Sequence, residues 1–268
     1  MATDNRQTRP AAARPSLEGR LKSFIEFEGV HKQLGEQKVL RGVSLKVTEG
    51  DTLAVIGYSG AGKSVMLRHV LGLMKPDAGR VVVDGVDVAP LGEKELAPTR
   101  RKVGMLFQNG ALFDSMNVER NVAFPLRELH QDDAKTVREK VRESLELVGL
   151  GEHLKKMPIE LSGGMRKRVA LARAIITEPR CILYDEPTAG LDPVAADSID
   201  HLIQRLKRKF GVTSLVVTHD MKSARLIADQ IAMLRDGEIY FHGTPQMLVA
   251  SDDPVLKNFV EGRSGDSS

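Results

Sequence analysis

Residues 57–64 read GYSGAGKS, and their types and spacing are those of a cradle for phosphate. Glycines at Gly57, Gly60 and Gly62 let the backbone turn tightly and aim successive N–H groups at anionic oxygens. Lys63 can reach terminal phosphates as a point charge, and the Ser64 hydroxyl can ligate Mg²⁺. Tyr58, Ser59, Ala61 and Val65 complete the stretch that would surround the anion. The pattern G-x-x-x-x-G-K-[ST] carries this meaning only between a strand and the start of a helix. Residues 52–56, apolar and β-branched, supply the strand, and 62–73 (GKSVMLRHVLGL) read as the helix.

Two carboxylates stand where such a cradle needs them. CILYDE at 181–186 ends an apolar strand on Asp185 and Glu186, and open α/β sheets bind ligands at the carboxyl ends of their strands. Asp185 can hold the metal's ligand shell while Glu186 polarises the water that attacks the terminal phosphate. Taken alone, an acidic pair at a strand end is more often a helix cap or a solvated turn; the upstream loop reverses that reading. The segment VGMLFQ ends on Gln108, and SLVVT leads into His219 and then Asp220, the expected N-cap of a helix from Met221. Gln108 and His219 are therefore expected at the same sheet edge, the first sensing metal and water, the second touching the terminal phosphate or Glu186. Without that company, Gln108 reads as a surface amide and His219 as a structural histidine.

The elements that must position these residues have their own signals. Segments with β character at 24–30 and 39–47 precede the loop's strand, and two more follow it at 80–84 and 103–108. From about 116 to 178 the texture turns helical, with Val137, Val141, Leu145 and Val148 recurring three or four apart in a charged stretch. Strand signals return at 181–184, 214–218 and 231–234 with helices between them, the pattern of a parallel sheet with crossover helices. The fold class is α/β, with a helical insertion at about 109–178. No internal repeat interrupts 24–260.

Composition sets the outer bounds. The 268 residues, 41% hydrophobic and 28% charged, suit one large domain or two small ones with a sizeable core. No apolar run approaches the roughly 20 residues that span a bilayer, so work at a membrane would need another protein as anchor. Cys181 is the single cysteine; it excludes an internal disulfide framework and, opening the run CILY, is expected in the core. The net charge of +3 sits entirely in 1–22, where Arg6, Arg9, Arg14, Arg20 and Lys22 face Asp4 and Glu18. The remainder is balanced, which leaves little basis for a nucleic-acid footprint on the folded part, and no nucleic-acid partner is expected. The Ala-, Pro- and Arg-rich tail is expected to be disordered, with contact to anionic lipid as its other reading. Residues 263–268 are expected to be a flexible C-terminus.

Together with LSGGM at 161–165, these residues resemble the ATP-binding-cassette (ABC) family over about 24–260. Gln108 stands as its Q-loop, LSGGM as its signature, CILYDE as Walker B, AGLD at 189–192 as the D-loop ending on Asp192, and His219 as its H-loop. The resemblance implies an ABC ATP-binding domain at 23–262, with a RecA-like P-loop core, an antiparallel β-subdomain and an inserted α-helical subdomain. It implies ATP as substrate and Mg²⁺ as cofactor. Glu186, His219 and Gln108 would be catalytic, and Ser64, Gln108 and Asp185 would hold the metal. Ser162, Gly163 and Gly164 make chemical sense as a second phosphate clamp, a hydroxyl and glycine amides at a helix start. In the family this clamp, here with Met165 beside it, closes in trans on ATP held by a second chain, so a homodimer with Asp192 at its interface is implied.

The resemblance also gives the helical insertion a purpose. In ABC transporters a groove beside it receives a helix of the membrane permease, and 107–118 (FQNGALFDSMNV) is expected to line that groove; the plainer reading is a loop with core-facing Leu112 and Phe113. Two departures stand out. Leu34 occupies the place where the family usually stacks an aromatic ring on adenine, so apolar contact would replace stacking and base discrimination would be weak. Met165 stands where Gln is common, a mark of a subfamily.

Several stretches narrow the resemblance: GYSGAGKSVMLRHVLGLMKPDAG, FQNGALFDSMNVERNVAFPLRE, LSGGMRKRVALARAI and FVEGRSGD. They look like the ATPases of lipid-moving transporters of the maintenance-of-lipid-asymmetry type and their MCE-domain relatives. That implies two copies at the cytoplasmic face of a bacterial inner membrane, driving an integral membrane permease that works with a periplasmic MCE-type lipid-binding protein. An importer ATPase for a polar nutrient such as an amino acid shares every catalytic motif and stays open. A non-transport ABC protein of DNA repair or translation is disfavoured, because the chain has neither a second cassette nor a long coiled-coil insertion.

Overall fold

Strands with mixed buried and exposed positions build one sheet of this protein, and the central strands of the other are buried almost throughout. The computed structural model describes residues 22–129 and 132–263. The basic tail, apart from Lys22, and residues 264–268 lie outside the described residues. β1 (Ser23–Leu34) buries Phe24, Ile25, Phe27 and Val30 and turns back through a short link into β2 (Gln37–Thr48). β3 (Thr52–Ile56) is buried at all five positions, as expected of a strand covered on both faces. α1 (Lys63–Val70) follows the glycine loop, then β4 (Ala78–Val83), β5 (Val86–Asp87), α2 (Glu93–Arg100) and β6 (Val103–Leu106).

Between β6 and β7 the described residues hold helices and turns only: α3 (Val118–Leu129), α4 (Ala134–Leu147), two single 3₁₀ turns and α5 (Gly163–Ile175). β7 (Cys181–Asp185) restores the sheet, followed by α6 (Pro193–Phe210), β8 (Thr213–Thr218), α7 (Met221–Ile227) and β9 (Gln230–Arg235). β10 (Glu238–Gly243), α8 (Pro245–Ala250) and α9 (Pro254–Val260) close the described chain.

The strands form an antiparallel sheet ordered β2-β1-β4-β5 and a six-stranded sheet ordered β10-β9-β3-β8-β7-β6. In the second, β3 pairs in parallel with both β8 and β9, and β7 pairs in parallel with β6 and β8; β10 alone runs antiparallel, on β9. The parallel order brings the ends of β3, β6, β7 and β8 to one edge of the sheet, where ligands bind in such folds. One apolar core lies between the two sheets and takes in Met66, Leu67 and Val70 of α1. A second joins α3, α4, α5 and α6 to β6, β7 and β8. Cys181 is fully buried in the first of these cores, and burial pushes its thiol pKa up. This is an α/β fold in which a helical layer is inserted between two neighbouring strands of a parallel sheet.

Two details differ from the sequence reading. β6 ends at Leu106, so Gln108 lies in the turn beyond the strand and is exposed. α2 forms where no helix is legible; Pro98 stands inside it, and the Glu95 carboxylate accepts from the Gly92 N–H to cap its start.

Candidate functional site

The loop between β3 and α1 is shaped by close backbone approach. Gly57 has φ 153°, and a Cβ there would collide with the Leu234 carbonyl of β9. Gly62 has φ 100°, and its Cβ would lie 2.8 Å from Val39 Cγ1. Glycine is thus required at both places by space as well as by backbone conformation. Lys63 is 7% exposed, its ammonium donating to the carbonyls of Gly57 at 2.8 Å and Tyr58 at 3.1 Å. Its side chain therefore curls over the loop's hollow rather than out to water. Burial draws its pKa down, and the neighbouring carboxylates Glu186 and Asp185 draw it back up.

The strand ends complete the site. Ser64 donates from Oγ to Asp185 Oδ1 at 2.7 Å, so the two expected metal ligands, 121 positions apart, already touch. A hydroxyl and one carboxylate are the hard oxygen donors that suit Mg²⁺ bound together with phosphate oxygens. Gln108 is the expected third ligand; its carbonyl, not its side chain, is the atom held here, by Lys167. Glu186 is 8% exposed and holds φ 47°, a left-handed conformation that is rare for this residue type. Its N–H donates to the Val217 carbonyl of β8 at 2.9 Å. Its Oε1 lies 3.8 Å from Lys63 Nζ, and its Oε2 accepts from His219 Nδ1 at 2.9 Å and from the His219 N–H at 3.3 Å. Lys63, Ser64, Asp185, Glu186 and His219 are one cluster.

Asp220, after His219, caps α7 by accepting from the N–H groups of Lys222 and Ser223. Ser162 caps α5 through the Met165 N–H at 3.2 Å, with Gly163 and Gly164 in the first turn. Asp192 caps α6 through the N–H groups of Val194 and Ala195. Leu191 and Ala195 press on the signature, where Cβ atoms at Gly163 and Gly164 would meet them at 3.3 and 3.4 Å. The signature is not brought to the phosphate loop: α5 packs on α3, α4, α6 and β6, whereas α1 packs on β4, β7 and β8.

A cavity of about 930 Å³ opens beside Tyr58, Ser59, Gly60 and Ala61, walled by 37–39 and Arg41 of β2, by 234–237, and by Pro254, Val255 and Asn258 of α9. Leu34 is 41% exposed at the end of β1 and is not part of that wall. The rings of Tyr58 and Phe259 stand edge to face, with centroids 5.1 Å apart at 90°. This α9 wall is invisible in the sequence, because a short capped helix carries no chemical signature.

Beyond β6, a groove of about 910 Å³ is lined by Phe107, Ala111, Phe113, Phe124 and Arg173, among others. Leu112 packs on the core, whereas Phe113 is 40% exposed and leans on Phe124. Two residues passed over by sequence reasoning fix this loop. Asn121, fully buried, accepts from the Phe113 N–H and shares its two amide protons among the carbonyls of Phe113, Met116 and Asn117. Arg173 donates to the carbonyls of Gly110 and Ala111 at 2.7 Å.

Among known families, the model described as "ABC transporter" matches residues 40–189. An ATP-binding protein of Mycobacterium leprae, named for probable ribonucleotide transport, is 42% identical over 239 residues, covering 89% of this chain and 69% of that one. The intermembrane phospholipid transport system ATP-binding protein MlaF of Escherichia coli is 40% identical over 246 residues, covering 92% and 91% respectively. A solved dimeric ATP-binding cassette in a post-hydrolysis state, bound to ADP and Pi, is 34% identical with a TM-score of 0.76, covering 82% of this chain and 98% of its own.

Proposed function

Since the chain belongs to the ABC transporter family, as a subunit that binds and hydrolyses ATP, we propose that it powers the movement of phospholipid or another hydrophobic molecule across the bacterial cell envelope. The observation that carries the substrate class is the likeness to MlaF, which runs over 91% of that protein's length. Two copies would act together, as in the dimeric cassette it resembles, on an integral membrane permease at the cytoplasmic face of the inner membrane. A periplasmic MCE-type lipid-binding protein would complete the system. Among the described residues no helix is long and apolar enough to cross a membrane, so attachment through the permease fits.

The chemistry follows from the cluster at the sheet edge. The loop's N–H groups and Lys63 would hold the phosphates, and the α1 N-terminus adds its partial positive charge. Ser64 and Asp185, in contact at 2.7 Å, would hold Mg²⁺ with Gln108 nearby; the metal neutralises charge building on the phosphates. Glu186, steered by His219 and Lys63, would take a hydrogen bond from the attacking water and accept its proton. Ser162, Gly163 and Gly164 lie away from their own loop, which supports closure on the ATP of a second copy. With a helical subdomain at about 109–178 inserted in an ABC domain at 23–262, the groove at Phe113 would receive a helix of the permease.

Glu186→Gln should keep ATP affinity within about threefold, trap an ATP-bound dimer and lose turnover by about 100-fold or more, whereas Lys63→Ala should weaken ATP binding itself. Wild-type turnover in Glu186→Gln would remove Glu186 from the mechanism. For the substrate class, the tagged chain should co-purify from membranes with a permease, an MCE-domain protein and bound phospholipid. Recovery with a small-solute-binding protein would favour the polar-solute reading that the ribonucleotide-named relative keeps open.

A further inference from the structure

Lys167 sits five residues into the signature helix, on the same face as Ala170, Leu171 and Ala174, and is only 5% exposed. A lysine is seldom buried unless its ammonium has partners. Here the partners are two backbone carbonyls, those of Gln108 and of Glu186, the latter at 3.0 Å. Gln108 follows β6 and Glu186 follows β7, the adjacent parallel strand. One cation on a third element thus fastens the turns after both strands. Burial pulls the ammonium's pKa down, and the carboxylates of Asp185 and Glu186 pull it back up.

An apolar residue on this face would bury equally well, so packing alone does not call for a charge. Glu186 gives a reason for one. Its φ of 47° is a conformation that persists only where surrounding contacts over-determine it. Its N–H is held by the Val217 carbonyl and its own carbonyl by Lys167 and by the Ala189 N–H at 3.2 Å. With both ends of the residue fixed, the carboxylate is aimed between Lys63 and His219. Lys167 also lies on the helix that Ser162 caps, so a pull on Ser162–Gly164 moves the anchor of both turns together.

We propose that Lys167 is a positioning residue for ATP hydrolysis, tying the signature helix to the backbone of Gln108 and Glu186 and so setting the aim of the Glu186 carboxylate. This rests on the assignment of Glu186 and the signature made above. The test is steady-state ATPase kinetics with separate nucleotide-binding titrations on purified wild type, Lys167→Met, Lys167→Gln and Glu186→Gln. Removal of a donor that acts on reaction geometry should lower kcat by about tenfold or more in Lys167→Met, with ATP affinity within about threefold, and Lys167→Gln should recover part of it. Lys167→Met with kcat within twofold of wild type, or with kcat and ATP affinity falling in step, would overturn the proposal. Should Lys167→Met fail to fold, Lys167→Gln decides: a loss of about threefold or more in kcat at unchanged affinity supports the tie, and a wild-type kcat refutes it. An active Glu186→Gln would instead strike at the underlying assignment, so the two failures are told apart.

Discussion

At the scale of residues, the site is surrounded by buried polar groups whose cost can be measured. Asp200 on α6 is 1% exposed; its Oδ2 accepts from Ser223 Oγ at 2.7 Å, while its Oδ1 has no partner among the described residues. Ser223 Oγ also lies 3.2 Å from Asp220 Oδ2, and a single hydroxyl proton cannot satisfy two carboxylates. Burial foremost, with Asp220 and Asp197 nearby, raises the Asp200 pKa from 3.8 to about 6. The unfolded chain therefore releases this proton first. The contribution of this group is least unfavourable below about pH 4, worsens as pH rises to about 6 and is level above, at a cost of about 3 kcal/mol. Asp200→Asn, uncharged and able to donate to Ser223, should gain about 1–3 kcal/mol at pH 7.5 and nothing below pH 4, read from urea unfolding at both pH values. Destabilisation at pH 7.5 would show that the carboxylate is favourable where it stands. The glycine loop, the acidic pair and His219 were legible in the sequence because their spacing follows from chemistry. Lys167, Asn121 and Arg173 were not, because their partners are backbone carbonyls and N–H groups, which leave no mark on residue type. A charge inside the apolar stripe of α5 was the one available signal.

At the scale of elements, the strands buried on both faces were the easiest to read, since β3, β7 and β8 are short, apolar and bounded by turns. α2, β10, α8 and α9 were not. Pro98 masks the first, and β10 alternates weakly, burying only Gly243. α9 has seven residues, too few for a helical period to declare itself. It is held instead by Asp253, which accepts from the N–H groups of Val255 and Leu256, and by Phe259 on Tyr58. That contact makes α9 a support of the phosphate loop. An edge-to-face aromatic pair contributes about 0.5–1.5 kcal/mol beyond burial, so Phe259→Ala should weaken ATP binding by about two- to tenfold with little change in kcat. Unchanged ATP affinity alongside a lowered Tm would make α9 a plain packing element.

At the scale of the whole molecule, the two faces that would meet partners are distinct. The signature and Asp192 lie together at the starts of α5 and α6, whereas the Phe113 groove opens beside β6, α2 and α3. Phe113 adds no hydrogen bond from its side chain to the fold, and its ring rests on Phe124 at 4.7 Å. Phe113→Ala should therefore lower permease-stimulated ATP hydrolysis by about fivefold or more while leaving nucleotide affinity within about twofold. Equal loss of both, measured on the chain with and without its permease, would count against the groove.

The strand order has a consequence in time. β3, which delivers the phosphate loop, is flanked by β8 and β9: Thr52 pairs with Ser214, and Ile56 with both Thr218 and Met233. A ribosome that has just added Ser64 still has residues 65–212 to add before β8 begins and residues 65–229 before β9 begins, and pairing across such distance is slow. Until then the nascent chain holds its GKS sequence without the strands that complete the site. ATP stabilises only a chain that can bind it, so it can help this protein fold only once β8 and β9 have closed around a loop made long before them.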